Sequence, residues 1–162
     1  MHTQNSFHIK TAQTAMDLEA VATLFRAYAA ALNIDLSYQN FEAELASLPG
    51  EYGPPAGCLL LARSLNGNAI GCVALRPLEF PACCEMKRLY VAPDARRSGL
   101  GHHLVNRILK GATKLGYREI RLDTLPKLSE AIALYGKAGF EVTEPYYDTP
   151  IAGTIFMRRP LP

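Results

Sequence analysis

The chain moves between helical and strand-like hydrophobic rhythms. Leu18, Val21, Ala22, Phe25, Tyr28, Ala29 and Leu32 recur every three or four positions and predict a helix over residues 15–32 with one apolar face. Ahead of it, residues 7–10 read as a short strand, and Thr14 with Asp17 has capping-box spacing, with Asp standing in for the usual Glu or Gln. A second helix is predicted over residues 38–48, with Phe41, Leu45 and Leu48 on one side, until Pro49-Gly50 and Pro54-Pro55 end it. The period then shortens. Residues 58–63 and 69–76 are β-prone runs around Asn66-Gly67-Asn68, a hairpin signal because asparagine and glycine tolerate positive φ.

Residues 85–91 form the next predicted strand, and Leu100, Leu104, Val105, Ile108, Leu109, Ala112 and Leu115 mark a helix that Gly116 closes. Residues 118–124 read as a strand. Pro126 sits where a first-turn proline belongs, Leu128, Ala131, Ile132, Tyr135 and Ala138 give a helical period, and Gly139 supplies the stop. A last strand is predicted over residues 154–158. Strand, helix and strand over residues 85–124 should pair in parallel with right-handed crossover, set beside the earlier antiparallel hairpin. The expected architecture is a mixed α/β fold. With no repeat, low-complexity tract or linker, the 162 residues are expected to make a single domain.

Composition narrows the function. Seventeen Lys and Arg against fifteen Asp and Glu leave a formal net charge of +2, too balanced for a general nucleic-acid binder. Any anion site must be local. Cys58, Cys72, Cys83 and Cys84 form no C-x-x-C pair, and neighbouring Cys83 and Cys84 would strain as a disulfide, so they read as reduced thiols and small core residues. Residues 1–14 show no basic region followed by an apolar stretch, and the apolar run 58–62 is too short to span a bilayer. A cytoplasmic protein without a membrane anchor is expected. His102 and His103 are adjacent on a helix and point apart, so no metal site is expected.

The local anion site is Arg96-Arg97-Ser98-Gly99-Leu100-Gly101, placed between a strand and the start of a long helix. Glycine lets backbone approach a ligand, and the free N–H groups and dipole at a helix start attract phosphate. A Walker loop fails for want of Gly-Lys-Ser/Thr, and a Rossmann fingerprint fails because Leu104 stands where a third small residue belongs. A lone Gly-x-Gly would be a simple helix entry. This one lies between Glu85-Met86-Lys87-Arg88-Leu89-Tyr90-Val91 and Ala133-Leu134-Tyr135-Gly136-Lys137-Ala138-Gly139-Phe140.

In that order the segments resemble the GCN5-related N-acetyltransferase (GNAT) family, whose Arg/Gln-x-x-Gly-x-Gly/Ala loop Arg96-x-x-Gly99-x-Gly101 matches; the specific likeness covers residues 85–140. The resemblance implies a GNAT-like, mostly antiparallel sheet with a central parallel β-α-β unit flanked by helices. It implies acetyl-CoA as acyl donor, its pyrophosphate on the amides from Arg97 to His102 with Arg96 and Arg97 alongside, and its pantetheine arm paired with Leu89, Tyr90 and Val91. It implies that residues 85–91 splay from residues 118–124 to leave a V-shaped slot. Many members carry asparagine three residues before the alanine matching Ala131, where this chain has Leu128; Ser129 is a candidate substitute.

Acetyl transfer to an amine needs a base, an oxyanion donor and a proton for the departing thiolate. Glu85 reads equally as the base and as a strand-end residue paired with Lys87 or Arg88. The Val91 N–H, freed by the splay, is the oxyanion donor, and Tyr135 is the acid. Tyr28, Asp35, Tyr38 and Tyr146, with Tyr147 and Asp148, are the candidate acceptor residues. The expected activity is direct acetylation of a small-molecule primary amine in a ternary complex. The alternatives are a non-catalytic acyl-CoA-binding module and a protein or peptide N-acetyltransferase; a homodimer is compatible with each.

Overall fold

The computed structural model describes residues 6–162, so the expectation drawn from residues 1–14 falls in part outside the described residues. Seven strands form one sheet in the order β1-β2-β3-β4-β5-β7-β6: β1 (Phe7–Thr11), β2 (Cys58–Ser64), β3 (Ala69–Pro77), β4 (Cys83–Val91), β5 (Glu119–Thr124), β6 (Glu141–Thr143) and β7 (Ile155–Pro160). Every pairing is antiparallel except β4 with β5, which α3 (Leu100–Lys114) joins as a crossover. This is the mixed, mostly antiparallel architecture expected from the chain. Among the described residues no helix is long and apolar enough to cross a membrane.

The alternation along each strand divides the core between the faces of the sheet. Leu60, Val73, Leu75, Cys84 and Met86 meet α3 and α4 (Ser129–Lys137), while Leu59, Leu61, Cys72 and Ala74 meet α1 (Ala15–Leu32) and α2 (Phe41–Ala46). All four cysteines are free; Cys72 and Cys84 are buried among these apolar groups, and Cys83 is buried with its Sγ toward Glu119.

The second predicted helix is shorter than its hydrophobic spacing suggested. Asn40 adopts the left-handed conformation at φ 57° and divides a 3-10 turn at Ser37–Gln39 from α2; only asparagine, aspartate and glycine enter that region readily. Helix α4 begins at Ser129 and not at Pro126, because the Leu128 N–H donates to the Leu125 carbonyl in a turn whose ψ of 55° is not helical. Strand β4 starts at Cys83, ahead of the predicted Glu85, and β6 is an added edge strand that too few residues announce.

Helix α1 is tied to the sheet through its cap. Asp17 accepts from the N–H groups of Gln13 and Thr14, the Asp17 N–H donates to Thr14 Oγ1 at 3.1 Å, and Arg63 on β2 reaches Asp17 Oδ1 at 3.1 Å. Burial opposes ionisation of this carboxyl, yet those donors prevail and hold its pKa at about 2. A carboxyl whose pKa falls on folding stabilises the folded state above its unfolded value of about 3.9, and that contribution disappears as pH falls through the folded value. Asp17→Asn is therefore expected to lose less thermal stability than the parent between pH 5 and about pH 2. Equal losses in parallel melts would show that Asp17 does not carry this pH dependence.

Candidate functional site

The site begins with a defect in β4. Cys72 opposes Tyr90 and Ala74 opposes Lys87, so Val73 alone faces both Arg88 and Leu89, and Arg88 takes a φ of 62°. This is a β-bulge, which shifts the phase of a strand by one residue. Before it, Met86 faces α3; after it, Leu89 and Val91 do, while Lys87 and Arg88 both turn toward α1 and α2. Arg88 is held there by a bidentate pair with Glu44 of α2 at 3.0 Å, its guanidinium 5.2 Å from the Phe41 ring centroid and 5.7 Å from that of Tyr28.

The bulge coincides with the opening of the sheet. Strands β4 and β5 pair only over Cys83–Glu85 and Glu119–Arg121, although β4 runs on to Val91 and β5 to Thr124. Beyond that point they diverge around a cavity of about 510 Å³. Its walls are Met86 to Val91 and Leu122 to Thr124, closed by α4 through Leu128, Ser129, Ala131, Leu134 and Tyr135 and by α1 through Tyr28, Ala31 and Leu32. Because the Ala92 N–H donates to the Ile70 carbonyl, Gly71 and Val91 are a non-hydrogen-bonded pair, and the Val91 N–H points away from β3 toward the opening.

One end of the cavity is the loop into α3, lined by Arg96, Arg97, Gly99, Leu100 and Gly101. Gly99 caps the helix at φ 83°, a conformation that Arg97 also adopts at 66°, and no side chain caps the helix. Among the described residues, the N–H groups of Arg97, Ser98, Gly99, Gly101 and His102 find no acceptor in the protein. A row of free donors at a helix start suits a phosphate chain. Gly101 also permits close approach: a Cβ there would lie 3.3 Å from Leu134 Cδ2.

Tyr28, Leu89, Tyr90, Val91 and Tyr135 line the cavity. Tyr135 is buried and its ring meets that of Phe140 edge-on, with centroids 5.9 Å apart, yet among the described residues its hydroxyl has no hydrogen-bond partner. Burial raises its pKa above that of an ordinary tyrosine; burial also lifts Tyr28, to about 12, against the opposing Arg88 charge. Ser98 and His102 lie off the cavity wall: Ser98 Oγ donates to the Ala95 carbonyl, and the His102 ring faces Asn106. Leu128 and Ser129 both border the cavity.

Glu85 is placed differently from the expected base. It is buried outside the cavity wall, accepting from Arg76 Nε at 2.8 Å on Oε1 and from the Tyr146 hydroxyl on Oε2. Lys87 Nζ stands 3.9 Å away, so the partners that hold the Glu85 carboxylate are Arg76 and Tyr146, from outside β4. Asp35 is exposed in a local turn, accepting from the Ser37 N–H, which lowers its pKa; Tyr38 borders a small recess beside the cavity. Tyr146 and Tyr147 pack on Phe156, Tyr147 donating to Asp123.

Asp123 and Lys87 were not singled out in the sequence, and both line the cavity. Burial raises the Asp123 pKa, with Tyr147 and Lys87 opposing; burial lowers that of Lys87, with Glu85 opposing. Strict alternation along β5 offers a weak signal for Asp123, since it is the polar residue between buried Leu122 and Thr124. Among the described residues no group of three or more His, Cys, Asp or Glu could hold a metal ion.

Comparison with known proteins agrees with this geometry. A family model described as acetyltransferase (GNAT) family matches residues 18–140. An uncharacterized N-acetyltransferase of Schizosaccharomyces pombe is 44% identical over 154 residues, covering 95% of this chain and 94% of that protein. A GNAT-family acetyltransferase structure from Staphylococcus aureus superposes with a TM-score of 0.80 at 19% identity, covering 96% of this chain and 99% of its own. A phosphinothricin acetyltransferase from Sinorhizobium meliloti, solved in complex with acetyl-CoA, gives 0.74 at 21% identity, covering 96% and 89%. These last likenesses concern the fold.

Proposed function

Because the chain belongs to the acetyltransferase (GNAT) family, we propose that it transfers the acetyl group of acetyl-CoA directly to the primary amine of a small molecule. The observation that carries this reading is the divergence of β4 from β5, which leaves the Val91 N–H facing a cavity that has free helix-start donors at one end and Tyr135 on its wall. Pyrophosphate on the loop amides and pantetheine along Leu89 to Val91 would set the thioester in the opening as an added strand.

In this proposal Asp123, and not Glu85, removes the proton from the incoming ammonium, directly or through water. Its burial favours the protonated form and so makes it a stronger base than a solvated carboxylate. The free amine attacks the thioester carbon, a C–N bond forms, and the oxyanion accepts from the Val91 N–H. The adduct nitrogen gives its second proton to water as the C–S bond breaks, and the thiolate takes the proton of the Tyr135 hydroxyl, which solvent restores. The net reaction consumes acetyl-CoA and an ammonium and yields the amide, CoA thiol and one proton.

Thiol release tests the reading. With acetyl-CoA fixed and amino acids, polyamines, aminoglycosides and short peptides supplied in turn, CoA is expected to appear only with an accepted amine. Acetyl-CoA binding without release across the panel would instead identify a non-catalytic acyl-CoA-binding module.

A further inference from the structure

Resting on the transfer reading above, we propose that the acceptor amine carries a carboxylate one or two carbons from its nitrogen, and that Lys87 binds this carboxylate while Asp123 and Thr124 receive the amine. Lys87 is nine-tenths buried, with a side-chain exposure of 8%, and lines the cavity. Its ammonium has three donors. One goes to Gln39 Oε1 at 3.0 Å; Glu85, at 3.9 Å, is beyond hydrogen-bond reach and already holds Arg76 and Tyr146. Donors therefore remain for a ligand.

Of the other cations on the cavity wall, Arg88 is paired with Glu44, Arg96 donates to the Val91 carbonyl at the phosphate end beside Arg97, and the exposed Lys127, on the turn before α4, donates to the Leu32 carbonyl of α1. Asp123 lies on the opposite wall, and among the described residues no ion pair joins it to Lys87. Beside it Thr124 Oγ1 is buried with no hydrogen-bond partner. Buried charges of opposite sign kept apart, with a buried hydroxyl left open, is a costly arrangement for an empty cavity. An amino acid lying between them would satisfy all of these groups at once.

The same charges argue against polycationic acceptors. A diamine or aminoglycoside would bring a further positive charge toward Lys87, and besides Asp123 the described wall offers only the exposed carboxylate of Glu130 in the first turn of α4. A recess of about 20 Å³ beside Asp123, bordered by Ile34, Leu36 and Leu125, has room for a methyl-sized group. Alanine is thus a suitable probe.

The test measures CoA release with alanine, β-alanine and glutamate, each beside its amide, and with ethylamine and putrescine. Charge-assisted recognition predicts that kcat/KM for at least one of the acids exceeds that for its amide by about 10- to 100-fold. In Lys87→Met that ratio is expected to collapse toward one, and in Lys87→Arg to recover in part. Amides, ethylamine or putrescine equalling the acids would overturn this proposal and leave acetyl transfer standing, as would an unchanged ratio in Lys87→Met. If Lys87→Met fails to fold, the parent's ratio decides alone. Absence of release with every amine overturns the transfer reading and this proposal with it.

Discussion

Glu44→Ala is expected to destabilise the protein by about 3–5 kcal/mol, because it leaves a buried guanidinium without its counter-ion. Arg88 is 3% exposed and its pair with Glu44 is bidentate, so little water can take the place of the lost carboxylate. The Phe41 and Tyr28 rings that flank the guanidinium offset only part of that cost, each such contact being worth on the order of 1 kcal/mol. Since Arg88 also holds the strained turn of the bulge, the loss should reach the site: without the tether the phase of Leu89 to Val91 relaxes and turnover falls with stability. The check is the denaturation midpoint in urea beside CoA release at a temperature where the variant is folded. The paired change Arg88→Met with Glu44→Leu removes the orphaned charge and should regain much of the stability but not the turnover. A loss below about 1 kcal/mol in Glu44→Ala would place the pair with solvated surface bridges and sink the argument.

That bulge marks the boundary of what the chain discloses. Residues such as Gly99, with the strand before and helix after it, announce themselves because local conformation and periodicity impose them: a positive φ at 83° asks for glycine, and a repeat from Leu100 to Ala112 asks for a helix. Arg88 at φ 62° has no such local cause. Its reason is Glu44, forty-four residues earlier, and no pattern within β4 records it. Glu85 was ambiguous for the same reason. Whether it is a base or a buried anchor depends on Arg76 and Tyr146, which only the folded sheet and the segment before β7 bring to it. Asp123 alternates with buried Leu122 and Thr124 as any outward strand residue does, and it lines a cavity because β5 has lost its partner there. The loop end of the cavity is built from local sequence and is legible there, whereas the other end is assembled from α1, β4, β5 and the segment before β7 and is not.

Tyr135→Phe is expected to lower kcat by about 10²- to 10⁴-fold, the range for loss of a positioned general acid, while acetyl-CoA affinity stays within about threefold. The substitution is clean. The Tyr135 hydroxyl has no protein partner to orphan, and phenylalanine keeps the edge-on contact with Phe140. A thermal midpoint close to the parent's would therefore separate a chemical effect from a packing one. Burial raises the Tyr135 pKa above the ordinary tyrosine value of about 10, whereas a free thiol has a pKa of about 8.5. Such a tyrosine keeps its proton throughout the neutral and mildly alkaline range, and protonating a solvated thiolate would be uphill. The departing thiolate would form in the same cavity, beside the buried Tyr135 ring, where desolvation raises its own proton affinity in the same direction. The transfer therefore stays near balance at the moment the C–S bond breaks. This reasoning also predicts where the deficit appears, since a weaker leaving group slows the collapse of the tetrahedral adduct and spares the binding of either substrate. Equal turnover in Tyr135→Phe would remove Tyr135 as the acid and leave solvent, entering past the open end of the cavity, as the proton source.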